Sequence, residues 1–211
     1  MKKIAMFDLD GTLVNSMSRF SAGILTILDE NGITYDTDEM ISITTPLGYK
    51  GTAEYFISIG VKGTVEELIK QMSDNLINEY TNNIYLKPFV KEYLLKLKSE
   101  GYSLYVLTAS PHCVTDPCLK HNEVYDLFTE VWSVEDFGIP KTEIKLFYDV
   151  AEKLDCKPEE ILFFDDNDTA VVNSVKAGYK TIGVRDTQTE KQTDLIKKTA
   201  SRFIESFEEM L

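Results

Sequence analysis

Several things are scarce in this 211-residue chain. It has only three cysteines, Cys113, Cys118 and Cys156, and they lack the paired spacing of a metal knuckle. That excludes a disulfide scaffold and a cysteine-ligated zinc site, and it suits a reducing cytoplasm. Positive charge is also short. There are 22 Lys and Arg against 35 Asp and Glu, a formal net charge of −13. Such a surface repels nucleic acid and anionic membranes, so neither is expected as a partner. Long hydrophobic runs are missing too. None reaches the length needed to cross a bilayer, and the apolar run after Met1-Lys2-Lys3 stops at Asp8, too soon for a secretory signal.

What remains is ordinary for a globular protein, at 43% hydrophobic and 27% charged. The chain is organised around Phe7-Asp8-Leu9-Asp10-Gly11-Thr12. The run Ile4-Ala5-Met6-Phe7 reads as a buried strand that Gly11 breaks. The alternation of an extended chain puts Asp8 and Asp10 on one side. Two acids at the end of a central strand occupy the place where open α/β sheets bind ligands. Like charges so close call for a cation between them or a shared proton. A hard divalent ion, Mg²⁺, is the natural neutraliser.

Beyond Thr12 the pattern turns helical. Phe20, Ile24, Ile27 and Leu28 share one face, and Asn31-Gly32 ends that helix. Thr44 to Gly51 reads as a loop with Pro46 and two glycines as breakers, followed by a short helix over Ala53 to Ile59. Thr64 and Glu67 form a capping box ahead of a stripe of Val65, Leu68, Ile69, Met72, Leu76 and Tyr80. No strand is expected from about residue 15 to 85. The α/β rhythm resumes at Lys87-Pro88. A helix carries Val90, Leu94 and Leu97. Strands are predicted over Tyr102 to Leu107, within Leu127 to Val134, over Ile161 to Phe164, over Thr181 to Val184 and near Phe203-Ile204. Between them run a helix marked by Ile144, Phe147, Ala151 and Leu154 and one from an Asp168 cap to Ala177, stopped by Gly178. The class is α/β, a Rossmann-like parallel sheet flanked by helices, with an inserted all-helical block. The expected division is a core of residues 1–14 and 86–211 and a helical cap of 15–85.

Three later strand ends carry polar groups that would converge on the first. Thr108-Ala109-Ser110 offers a hydroxyl and backbone N–H groups to a phosphate oxygen. Lys141, after Gly138-Ile139-Pro140, offers a compact ammonium. Asp165-Asp166 closes the apolar strand and would complete, with Asp8, an oxygen cage for Mg²⁺.

These four clusters, in this order, resemble the motifs of the haloacid dehalogenase-like hydrolases, whose signature is D-x-D-G-T. The helical insertion is similar to that family's cap of the first type. The fourth motif, Asp165-Asp166 through Ala177-Gly178, resembles the β-phosphoglucomutase and phosphoglycolate phosphatase branch. Departures lie at Asn15, at Thr142 and Ile144 after the lysine, and at Ala170. The resemblance implies a phosphatase of small phosphorylated metabolites. In it Asp8 is the nucleophile that forms an aspartyl-phosphate, and Asp10 is the general acid and base. Thr108, Ala109 and Lys141 hold the phosphoryl oxygens, with Gly11 and Thr12 shaping the loop and donating N–H groups. Asp8, the carbonyl of Asp10, Asp165 and Asp166 hold Mg²⁺, with Asp166 the more direct ligand of the last two. An acid at Asp10 favours phosphoester over carbon–halogen chemistry. A sugar-phosphate mutase is the alternative, set back by Phe20 where such mutases usually have His. A non-catalytic phosphate-binding module is the third reading.

In the cap, Tyr49 and Lys50 of the Pro46 to Gly51 loop are expected as substrate contacts. Arg19 and His112 are expected at the surface. Nothing in the residues calls for more than a monomer.

Overall fold

The computed structural model describes residues 2–44, 47–187 and 190–211. The chain forms two units, Met1–Ser16 with Ile84–Leu211, and Met17–Asn83.

The first unit is built on a six-stranded parallel sheet. Its strands are β1 (Ile4–Phe7), β2 (Ser103–Thr108), β3 (Glu130–Ser133), β4 (Ile161–Asp165), β5 (Lys180–Val184) and β6 (Arg202–Ile204). Their order is β3-β2-β1-β4-β5-β6. The chain winds outward from β1 in one direction through β2 and β3, then returns to the other side of β1 for β4. The crevice at the carboxyl ends of β1 and β4 is therefore the switch point, where such sheets bind ligands.

Strand alternation builds both faces. Ile4 and Met6 of β1 join Ile161 and Phe163 of β4 on one side, packed with Leu146, Phe147 and Val150 of the helix Ile144–Lys153. Phe7 and Phe164 point to the other side. They lie opposite each other in register, and their rings stack with centroids 4.6 Å apart. Tyr93 and Phe207 close around that pair. Strands covered on both faces read as unbroken apolar runs, which is why these were visible in the sequence.

One local prediction needs correction. The helix Asp168–Ala177 is capped by Asn167, not Asp168. The Asn167 side chain accepts from the Thr169 and Ala170 amides, at 3.0 and 3.2 Å. Both are short polar side chains fit for a cap, and the turn geometry selects the one placed a residue earlier. The helix His112–His121 holds Pro117 in its interior, a residue that argues against a helix in sequence but is tolerated here at the cost of one backbone bond.

The second unit is all-helical among its described residues. Its helices are α1 (Met17–Glu30), α2 (Thr37–Thr44), α3 (Gly48–Ser58) and α4 (Val65–Asn82). Ile24, Ile27 and Leu28 of α1, Ala53 and Phe56 of α3, and Leu68 and Met72 of α4 form its core. The side chain of Phe20 lies outside the described residues. The expected capping box is present, with Glu67 N–H donating to Thr64 and Thr64 N–H donating to Glu67. The predicted loop from Thr44 to Gly51 is overturned in large part, because α2 runs through Thr44 and α3 begins at Gly48. Burial of Ala53 and Phe56 outweighs the weak helix propensity of the two glycines. A Cβ on Gly51 would meet that of Leu47 at 2.9 Å, so the glycine also fits a close approach. Pro46 lies outside the described residues.

Candidate active site

The site begins where β1 stops. Asp8 N–H donates to the Phe164 carbonyl, the last tie of the sheet at this point. The chain then turns sharply. The Leu9 carbonyl accepts from the amides of Thr12, Leu13 and Val14, while Gly11 N–H donates back to Val14. Gly11 has φ of 80°, and a Cβ there would lie 2.4 Å from Oδ2 of Asp166. Both its backbone and its missing side chain are thus required. The Gly11 and Thr12 amides, expected to shape the loop and to donate to the phosphoryl group, both bond within the loop.

Asp8, Asp165 and Asp166 converge. One carboxylate oxygen from each lies within 4.8 Å of the others, and all three residues are buried. The Lys141 ammonium bonds Asp8 Oδ1 and, at 2.9 Å, Asp165 Oδ2. Asn173 fixes the lysine's backbone by donating to its carbonyl at 3.1 Å. Thr12 Oγ1 donates to Asp166 Oδ1 at 3.1 Å. So the first, third and fourth clusters meet, although they are far apart in sequence.

Burial shapes the electrostatics. It pushes the Asp8 carboxyl well above the usual carboxylate range, opposed by Lys141 and reinforced by Asp165, Asp166 and Asp10. Asp166 is raised to about 7 by burial and by the charges of Asp165 and Asp186, against Lys87 and the Thr12 hydroxyl. Lys141 goes the other way. Burial disfavours its charge, but Asp165 and Asp8 more than compensate, and its pKa is raised. Three crowded, buried carboxylates form an all-oxygen donor set fit for a hard divalent cation.

Asp10 belongs to a different set of partners. Ser16 Oγ donates to its Oδ1 and Ser110 Oγ to its Oδ2, each at 2.6 Å. Its carboxylate is not one of the three that cluster, although its charge still acts on Asp8. Thr108 is buried at the end of β2, and its Oγ1 accepts from Ser110 N–H at 3.0 Å, which leaves the hydroxyl proton to donate. Ala109 is exposed beside it.

Tyr49 and Lys50 lie in α3 of the helical unit rather than in a loop. The Tyr49 side chain is outside the described residues. Lys50 is exposed and 3.9 Å from Glu54, one turn on. Arg19 is 4.0 Å from Glu79 in the same unit.

Reasoning from sequence missed Ser16, Lys87 and Asp186. Lys87 donates to the Gly11 carbonyl, to the Arg185 carbonyl at 2.7 Å and to Asp186 Oδ2 at 2.9 Å. Ser110 was quoted in its motif without a role. A hydroxyl two residues beyond Thr108 was the signal available for it; Lys87 gave none beyond standing before Pro88.

A parallel sheet with a lysine-bridged carboxylate cluster at its switch point is an arrangement suited to holding a divalent cation and an anionic phosphoryl group. Comparison with known proteins agrees. Residues 5–184 match the family described as haloacid dehalogenase-like hydrolase, and the chain belongs to that family. A phosphoglycolate phosphatase of Haemophilus influenzae is 27% identical over 194 residues, covering 86% of this chain and 85% of the relative. The pyrophosphatase PpaX of Bacillus mycoides is 27% identical over 187 residues, covering 85% and 81%. A candidate β-phosphoglucomutase from Thermotoga maritima has the same fold, with a TM-score of 0.83 at 20% identity, over 97% of this chain and 94% of its own. The chain is an enzyme, a phosphoric monoester hydrolase of this family. Among its described residues no helix is long and apolar enough to cross a membrane.

Proposed function

We propose that the protein is a magnesium-dependent phosphatase that hydrolyses a small phosphorylated metabolite through a phosphoryl group carried on Asp8. The meeting of Asp8, Asp165, Asp166 and Lys141 at one strand end, with Asp10 held apart by two serines, carries this reading.

In the first step a carboxylate oxygen of Asp8 attacks phosphorus and the bond to the leaving oxygen breaks. Asp10 gives that oxygen its proton. In the second step Asp10 takes a proton from water, which attacks the same phosphorus and frees phosphate and the Asp8 carboxylate. The separate hydrogen bonds of Asp10 suit this exchange, because Ser16 and Ser110 hold it away from the lysine that pairs with Asp8. Lys141 and the Thr108 hydroxyl bind the equatorial oxygens, where charge collects in the transition state. Mg²⁺, held by Asp8, the Asp10 carbonyl, Asp166 and Asp165, would screen the attacking carboxylate from the anionic ester. The three buried carboxylates support that assignment.

Residues 1–14 and 86–211 serve as the catalytic core in this reading, and 15–85 as a helical cap. The enzyme works as a monomer in the cytoplasm, in keeping with its free cysteines. The relatives' names point to phosphoglycolate and pyrophosphate, two different small anions, as the first compounds to try.

The experiment is a panel of phosphorylated metabolites assayed for released phosphate with Mg²⁺, for the wild type and Asp8→Asn. Release by the wild type and none by the variant is expected. Wild-type rates in Asp8→Asn overturn the nucleophile. Isomerisation of a sugar phosphate without phosphate release favours the mutase.

A further inference from the structure

Among the described residues, two lysines are mostly shielded from solvent in ion pairs with buried acids. Lys141 has its place in the reaction above. Lys87 does not. Its side chain is 15% exposed and that of its partner Asp186 is 3% exposed. Its ammonium has three N–H donors and meets three oxygens, the Gly11 and Arg185 carbonyls and Asp186 Oδ2. They come from the loop after β1 and the turn after β5, strands that never touch, since β4 lies between them.

We propose that Lys87 is a positioning residue, an internal cation on a tether that holds the catalytic loop in register with the turn after β5. Gly11 is the pivot. Its carbonyl is bound by Lys87, its Cα faces the Asp166 carboxylate, and it follows Asp10 directly. Only Lys87 ties that carbonyl to the far side of the site among the hydrogen bonds described. Two carbonyls and a carboxylate around one ammonium also make a pocket that a free small amine could fill once the tether is cut.

The proposal rests on the hydrolase reading for its kinetic arm, and the test has a second arm that does not. In Lys87→Ala, kcat should fall about tenfold or more with KM changed less than about threefold, because a misplaced loop harms the transition state more than binding. Methylammonium chloride should restore a large part of kcat and raise the melting temperature. Tetramethylammonium chloride at the same ionic strength should do neither, since it has no N–H to donate. A kcat within about twofold of wild type, or equal effects of the two salts, overturns the proposal. If Lys87→Ala is unfolded, refolding in methylammonium alone supports it, and failure to refold in either salt overturns it. The double variant Lys87→Ala/Asp186→Asn also removes the carboxylate charge from that pocket. It should have low kcat that methylammonium does not rescue; wild-type kcat there also overturns the tether. If the wild type releases no phosphate from any ester, the hydrolase reading fails by itself, and the melting comparison still decides Lys87.

Discussion

Ser110 Oγ donates to Asp10 Oδ2 at 2.6 Å, across a separation of 100 residues. The bond joins the end of β2 to the loop after β1, and with Ser16 it fixes both oxygens of the proposed acid. An acid that must give a proton and take it back needs a set direction more than an added charge. In Ser110→Ala one of those two anchors is gone while Thr108 and Lys141 remain. We expect kcat to fall about tenfold with KM nearly unchanged. Steady-state kinetics and a thermal melt, which should stay near wild type, check this.

Gly11→Ala tests the loop itself. The residue has φ of 80°, and the added Cβ would sit 2.4 Å from Asp166 Oδ2. Backbone strain alone costs on the order of 1 kcal/mol, and the carboxylate must also move. The variant should lose that much stability in urea unfolding and lose nearly all turnover. Retained stability with full activity would show that the loop can relax.

How far could the sequence be read? Asp8, Asp10, Asp165 and Asp166 were legible because they close two fully apolar runs, and packing gives no reason for acids there. Lys141 and Thr108 were legible only as members of an ordered set. The tie of Ser110 to Asp10 and the contacts of Lys87 were not, because they depend on which strands are neighbours. β1 pairs with β2 and β4 by a winding that no local pattern encodes. Phe89 is a similar case. It precedes its helix with φ of 65°, a backbone state favouring glycine, and nothing in Pro88-Phe89-Val90 announces it. The start of α3 was misread because glycine and proline mark loops only until a buried face outweighs them.

His112 provides a pH prediction. Its Nδ1 lies 3.0 Å from Asp116 Oδ1 and its Nε2 2.9 Å from Asp136 Oδ2, linking the helix after β2 to the turn after β3. Only the imidazolium donates from both nitrogens. These bonds, to Asp116 first and Asp136 second, raise its pKa above the ordinary value, against a smaller effect of burial. Tyr125 and Lys153 also face the two acids. A pKa raised on folding stabilises fully below the unfolded value and is lost as pH rises through the folded one. The gap in urea midpoint between wild type and His112→Gln should therefore be larger at about pH 6 than at about pH 9. An NMR titration of the ring should have its midpoint above that of a free histidine. A midpoint at or below the free value would mean that the two acids do not hold the ring in solution.

Asp166→Asn separates the metal from the fold. Burial and the charges of Asp165 and Asp186 raise the Asp166 carboxyl to about 7, so in metal-free protein above that pH its charge opposes folding. Replacing it with a neutral amide of the same shape should stabilise the metal-free chain at about pH 8. The same substitution removes an oxygen ligand from the cluster with Asp8 and Asp165. Mg²⁺ stabilises whatever state binds it, so the wild type should melt higher with Mg²⁺ than with EDTA, and Asp166→Asn should show little difference. The two effects cross. Without metal the variant is the more stable protein, and with enough Mg²⁺ the wild type overtakes it. Calorimetric melts of both proteins in EDTA and across a Mg²⁺ series measure the crossing. If the variant gains as much from Mg²⁺ as the wild type does, the ion does not depend on Asp166.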